Sequence, residues 1–286
     1  MDQAQGIRQM KAQHPVQVIA VTSGKGGVGK SNVTVNLAVT LAQGGEKVMV
    51  MDADMGLANI DVLLGLTPGQ NLSHVINGEC TLEETIIEGP AGIKIVPASS
   101  GIAMMSDLTP AQNAGVIRSF SELTEPVDIL LIDTAAGLSD SVVSYTRAAR
   151  EVIVVVCDEP ASITDAYAMV KVMNRDYGVE RFHVLANQAH GAQQGRELYN
   201  KLARVSQKFL DVRLDFLGSV PYDDCLKKAV QKQKAVVEAF PRSPSAMAFK
   251  QVAKKTQQWP TPSNMEGHLE FFIERLVNYS TQEDRL

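Results

Sequence analysis

The chain has 286 residues, 45% of them hydrophobic, and a net charge of −5. That length suits one large α/β domain with short appendages, and the acidic balance argues against direct nucleic-acid binding, leaving only local basic runs such as 226–234 and 250–255. Cys80, Cys157 and Cys225 are far apart with no C-x-x-C, which points to isolated reduced thiols in a cytosolic protein; the sequence shows neither an apolar run of the ~18 residues a transmembrane helix needs nor the apolar h-region of a secretory signal in MDQAQGIRQMKAQHP.

Residues 1–14 stand ahead of Pro15 as a separate short segment. The apolar, β-branched run 16–22 predicts a buried strand, and GKGGVGKS follows it. Gly24, Gly29, Lys30 and Ser31 satisfy the phosphate-binding pattern G-x-x-x-x-G-K-[ST]. A helix is predicted over 31–43, with Val33, Leu37 and Leu41 on one face and Gly44-Gly45 as its stop. Strand, glycine loop and helix form the context in which backbone N–H groups and a helix N-terminus cradle phosphate. The candidate nucleotide contacts are therefore Gly24, Lys25, Gly26, Gly27, Val28, Gly29, Lys30, Ser31 and Asn32, with ATP or ADP and Mg²⁺ as the ligands. Lys30 is expected to reach the β- and γ-phosphates and the Ser31 hydroxyl to ligate Mg²⁺.

The next strand, 47–51, ends at Asp52-x-Asp54. Two carboxylates on a strand-end loop suit phosphoryl transfer, one holding Mg²⁺ or its waters and the other orienting an attacking water. Further strands are predicted at 93–97, 127–132, 151–157, 182–187 and 214–220, and further helices at 110–124, 140–148, 162–175, 193–208 and 223–233. Asp133 closes the run DILLID and is the second candidate Mg²⁺ ligand beside Asp52. Asn187, Pro221 and Asp223 end late strands, where a parallel sheet places its ligands, and are the candidate base contacts. Alternating strands and helices predict an α/β fold of the P-loop NTPase class, with a mostly parallel central sheet covered by helices on both faces.

From Phe240 the chain is expected to leave this core. FPRSPSAMAFKQVAKKTQQ predicts a surface helix, WPTPSN a linker, and MEGHLEFFIERLVNY an amphipathic helix with Leu269, Phe271, Phe272, Ile273, Leu276 and Val277 on its apolar face. The expected division is 1–14, a partner-binding segment; 15–258, the ATPase domain; and 259–286, linker and C-terminal helix.

Three motifs in order, KGGVGKS with its leading lysine, DADMGLAN and LLIDTAAG, resemble those of the MinD/ParA deviant Walker-A ATPases over roughly residues 16–240. The resemblance implies that Lys25 reaches across a dimer interface to the partner's nucleotide, so that two subunits enclose two ATP molecules. It also assigns the attacking water to Asp54, which makes Lys25, Lys30 and Asp54 the catalytic set and Ser31, Asp52 and Asp133 the metal set. DQAQGIR at 2–8 resembles the D-Q-A-x-x-L-R motif of the flagellar-number regulators of the FlhG/FleN type, with Ile7 in place of Leu. That resemblance implies contact with a flagellar GTPase (FlhF-like) and antiactivation of a flagellar transcription activator (FleQ-like). It places the protein in the cytoplasm, with membrane-associated or polar states open. In the wider family a C-terminal amphipathic helix binds membrane; here Glu266, Glu270 and Glu274 accompany Arg275, the one basic residue within the helix, a departure from the Lys/Arg-rich pattern of interfacial helices. Membrane contact and docking on the protein's own surface remain two expectations. DNA partitioning and MinD-like division-site placement are the alternative functions; metallocluster assembly lacks the paired cysteines it needs.

Overall fold

The continuous apolar runs become the middle of one sheet because they are buried on both faces, as parallel strands under helices must be. The structure, a computed structural model, describes residues 15–55, 59–98, 108–260 and 269–273. Residues 1–14, expected to bind a partner, Gly56, Leu57 and Ala58 of the DADMGLAN motif, and Glu266, Glu274, Arg275, Leu276 and Val277 lie outside the described residues.

The elements run β1 (Gln17–Ser23), α1 (Lys30–Gln43), β2 (Val48–Ala53), α2 (Ile60–Leu64), α3 (Leu72–Ile76), α4 (Leu82–Thr85), β3 (Ile87–Glu88), β4 (Lys94–Val96), α5 (Pro110–Ser119), β5 (Ile129–Ala136), α6 (Asp140–Arg147), β6 (Glu151–Val156), α7 (Pro160–Tyr177), β7 (Arg181–Ala189), α8 (Ala192–Phe209), β8 (Arg213–Pro221), α9 (Asp224–Gln231), α10 (Val236–Ala239) and α11 (Pro244–Thr256). The eight strands lie in the order β3-β4-β2-β5-β1-β6-β7-β8. Every pairing is parallel except β3 with β4. This is the predicted α/β architecture, with helices on both faces. On one face α1, α10 and α11 pack against Ile19, Val21, Val50, Leu131 and Ile153. On the other, α5 and α6 cover Ala20, Met51 and Leu130, while α7 and α8 cover Val152, Val154 and Val184.

The helix after Phe240 does not leave the core. Ala246, Phe249, Val252 and Ala253 of α11 are buried against α1 and β8, so this helix completes one layer. Its Lys255 donates to the Leu217 carbonyl at 2.6 Å, capping a polar group on the edge strand β8. Trp259, expected in a linker, stacks on the buried His183 ring at 4.0 Å. His183 Nε2 in turn lies 2.6 Å from Glu151 Oε2.

Of the two expectations for the C-terminal segment, docking on the protein's own surface describes residues 269–273. Phe271 and Phe272 are 4% and 1% exposed. Their rings meet Phe120 edge-on at 5.0 and 5.8 Å. Glu270 pairs with Arg150 at 3.3 Å. Burying two such rings stabilises the docked segment by an upper bound of about 3–6 kcal/mol.

Candidate nucleotide-binding site

The C-terminal ends of β1, β2, β5, β7 and β8 point to one edge of the sheet, so the sequence-predicted residues converge although up to 199 positions separate Gly24 from Asp223. Between β1 and α1 the glycine loop turns through Gly27 (φ 80°) and Gly29 (φ 92°), left-handed backbone that a side chain disfavours. Ser23 Oγ donates to the Lys25 carbonyl at 2.7 Å and fixes the start of the turn. Gly29 is the N-cap of α1, and no side chain caps that end or places an acid in its first turn. The N-terminal N–H groups of this 14-residue helix are thus left for an anion.

Gly24 serves a different need. A Cβ there would collide with the backbone of Asp165 and Ala166, so its absence lets α7 press against the loop.

Lys30, at the start of α1, is half-buried, and burial lowers its pKa while the neighbouring Asp133 and Asp54 oppose that shift. Asp133 is 1% exposed and hydrogen-bonds the side chains of Ser31 and Thr34, the latter at 3.1 Å. Burial pushes its carboxyl up to about 6. Asp52 faces Asp133 across the β2–β5 pair. Burial and the Asp133 charge raise the Asp52 carboxyl well above the usual carboxylate range. A divalent cation beside Ser31 and Asp133 would relieve both costs, so the donor set fits Mg²⁺.

Asp52 has a second occupation that its position in the motif did not reveal. Its Oδ1 accepts from the Asp54 N–H at 3.1 Å, and its Oδ2 accepts from Asn59 and Ile60 at 3.0 and 3.2 Å. One carboxylate therefore holds both ends of the loop carrying Asp54, and reaches a cation most readily through water.

Asn187 is buried at 2% exposure, and its Nδ2 donates to the Val28 carbonyl at 2.8 Å. A Cβ on Gly29 would collide with that amide. Asn187 Oδ1 is buried with no protein partner, an acceptor suited to an exocyclic amine on a base. Pro221 ends β8 beside Ala189. Asp223 caps α9, accepting from Cys225 N–H at 2.8 Å, and its other oxygen accepts from Ser245 N–H at 3.0 Å and Oγ at 2.6 Å. Both Asp223 oxygens are thus engaged by protein donors.

Two site residues escaped the sequence reading. Thr34 lies 3.1 Å from both the Lys30 carbonyl and Asp133 Oδ1 and orients the carboxylate; its place one turn after Lys30 was the available signal. Glu159 pairs with Lys25 and raises the lysine's pKa through that hydrogen bond. It follows the apolar run of β6, the same strand-end logic that singled out Asp133.

A family model described as ParA, NUBPL iron-transfer P-loop NTPase, matches residues 15–257. The chain belongs to the ParA family of P-loop NTPases. Among its ParA-family relatives the chain is 59% identical to the antiactivator FleN of Pseudomonas aeruginosa, over 96% of this chain and 98% of the relative. It is 32% identical to the flagellum site-determining protein YlxH of Helicobacter pylori, over 91% of this chain and 90% of that one. Among solved structures, the septum site-determining protein MinD of Pyrococcus horikoshii, complexed with Mg-ADP, superposes with a TM-score of 0.70 at 25% identity, covering 85% of this chain and 96% of that one.

Proposed function

We propose that this ParA-family protein is an ATP-switched antiactivator that regulates flagellar number. The observation that carries the reading is the 59% identity along nearly the whole of both chains to an antiactivator, FleN. The flagellum site-determining relative points the same way. Iron transfer, the function in the family model's description, needs thiolates brought together, whereas Cys80, Cys157 and Cys225 are far apart in the sequence.

In this reading ATP sits with its phosphates in the 24–31 loop, countered by the N-terminus of α1 and by Lys30. Ser31 and Asp133 hold Mg²⁺, which supplies charge neutralisation on the phosphates; Asp52 acts on it through water. Asn187 offers its buried oxygen to the base, and Pro221 lines the same side. Asp223 supports that wall as the cap of α9. Asp54 orients the attacking water. Lys25 leaves Glu159 and reaches the partner subunit's nucleotide, so ATP is held best by a dimer. Such differential affinity is what allows a ligand to shift an equilibrium. The dimer then engages a flagellar transcription activator (FleQ-like) and, through residues 2–8, a flagellar GTPase (FlhF-like).

The test is retention of a purified FleQ-like activator and an FlhF-like GTPase on the immobilised protein, with ATP, with ADP and without nucleotide. ATP-dependent retention of the activator, and its loss in a Lys30→Ala variant, are expected. Retention that ignores nucleotide would overturn the switch, and ATP-dependent retention of DNA alone would favour a partitioning role.

A further inference from the structure

The turn between α9 and α10 touches two parts of the nucleotide site that are distant in sequence. On one side stands Asn36 of α1, 1% exposed. Its Oδ1 accepts from the Val236 and Val237 N–H groups at 2.7 and 3.4 Å, and its Nδ2 donates to the Asn32 carbonyl at 2.8 Å. One buried amide thereby ties the helix of the phosphate loop to the start of α10. On the other side Gln233 Nε2 donates to the Val62 carbonyl of α2 at 3.0 Å.

Two further features mark that second contact as built. Gln233 holds φ 52°, a left-handed conformation uncommon outside glycine. Gly65, which ends α2, lies so close that a Cβ on it would come within 3.2 Å of the Gln233 Cβ. A cavity of about 320 Å³ lined by Leu64, Pro90, Lys234 and Glu238 flanks Gln233, so on that side the contact depends on its hydrogen bond more than on packing. Helix α2 is also the element whose first N–H is held by Asp52, directly after the loop that carries Asp54.

We propose that the turn 232–236 braces the Asp54 loop against the phosphate-loop helix, and that Gln233 is a positioning residue for ATP hydrolysis. The role in turnover rests on the reading that Asp54 orients the attacking water; the brace itself does not. Asp52 fastens the near end of α2, Gln233 fastens its middle, and Asn36 fastens the turn to α1. Releasing Gln233 leaves the five-residue α2 held by Asp52 and by the burial of Ile60 and Leu64 in the core, without its tie to the turn, and Asp54 then samples positions farther from the water it must orient. ATP affinity depends on Lys30, Ser31 and Asp133, whereas the hydrogen bond of Gln233 goes to Val62.

The test uses the full chain with Gln233→Gly, which accepts the backbone conformation and lacks the amide, and Gln233→Glu, which keeps the length and lacks the donor. In the nucleotide-free protein, amide exchange in peptides spanning 59–66 is expected to accelerate about three- to tenfold in both variants, the range set by one lost neutral hydrogen bond, with α1 unchanged. The kcat for ATP is expected to fall by about three- to tenfold, with KM within about twofold. Unchanged exchange at 59–66 in both variants overturns the brace, whatever the turnover does. Faster exchange with wild-type kcat overturns the positioning role, as does a parallel loss of kcat, ATP affinity and protection throughout the chain. Asp54→Ala in the same assay reports on the underlying reading alone: wild-type turnover there would remove Asp54 from hydrolysis while the exchange data still decide the brace.

Discussion

Asp133 and Asp52 are two carboxylates on neighbouring strands, each 1% exposed, and burial beside each other holds them at a cost. The folded-state pKa of Asp133, about 6, lies above its ordinary value of 3.8. Between those values the folded chain binds more protons than the unfolded chain, so this group's contribution to stability falls as pH rises through that window and stays unfavourable above it. Asp133→Asn keeps an acceptor for Thr34 and removes the charge. Without ligand the variant should therefore gain on the wild type between pH 4 and pH 7, by about 1–3 kcal/mol. Melting curves at the two pH values check this; a difference that is flat with pH would show that Asp133 is not strained. Adding Mg²⁺ and ATP should reverse the ranking at pH 7, because only the wild type then gains a cation partner. At this scale the sequence was most legible where chemistry fixes both spacing and residue type. Lys30, Ser31 and Asp133 are singled out by pattern, and the fold places them side by side. The helix-capping use of Asp223 and the loop-holding use of Asp52 were not legible, because both depend on backbone N–H groups whose positions only the folded chain defines.

Between elements, close approach decides more than propensity. Helix α8 crosses β8 with Gly195 at the contact, where a Cβ would collide with the Cβ of Ser219. Gly195→Ala should improve local helix propensity and still destabilise the protein, by about 1–3 kcal/mol from overpacking. Ser219→Gly in the same chain should recover part of the loss, since it removes the atom that is struck. Denaturant midpoints of the four proteins in this cycle test the coupling, and additive effects would mean that the two sites do not meet. The long strands and helices were predictable because each carries enough residues to display its period. Helices α2, α3, α4 and α10 have five residues or fewer and the β3 strand has two, too short to show one. Capping pairs stand in for period in two of them, Asn71 with His74 and Thr81 with Glu84. The packing of α11 was missed for another reason. Its two prolines suggested a departure, yet one of them, Pro244, occupies the first turn, where a missing N–H costs nothing.

Two contacts tie distant parts of the single chain to each other, and one of them bears on the proposed ATP-bound dimer. The docked segment 269–273 is one; Phe272→Ala should lower stability by about 3 kcal/mol or more and expose apolar surface to a fluorescent hydrophobic dye, whereas an unchanged melting temperature would mean that the segment is not docked. The Lys25–Glu159 pair is the other. Both side chains are more than a third exposed, so screening keeps the pair weak, and its influence on an equilibrium must be modest. Its position still matters, because Lys25 cannot serve a partner's phosphates while it is held by Glu159 of its own chain. Glu159→Gln keeps the size and a hydrogen-bonding group but removes the charge that retains the lysine. The ATP concentration giving half-maximal dimer should then fall by about two- to fivefold, an effect that shrinks as salt is raised. Lys25→Ala separates the possible outcomes: it also frees Glu159, yet it should bind ATP through Lys30 and Ser31 and fail to dimerise. Sedimentation velocity with a nonhydrolysable ATP analogue reads all three proteins on one scale. If Glu159→Gln instead demands more ATP than the wild type, Glu159 supports the dimer and the lysine is not restrained by it; if Lys25→Ala dimerises normally, Lys25 does not act across the interface.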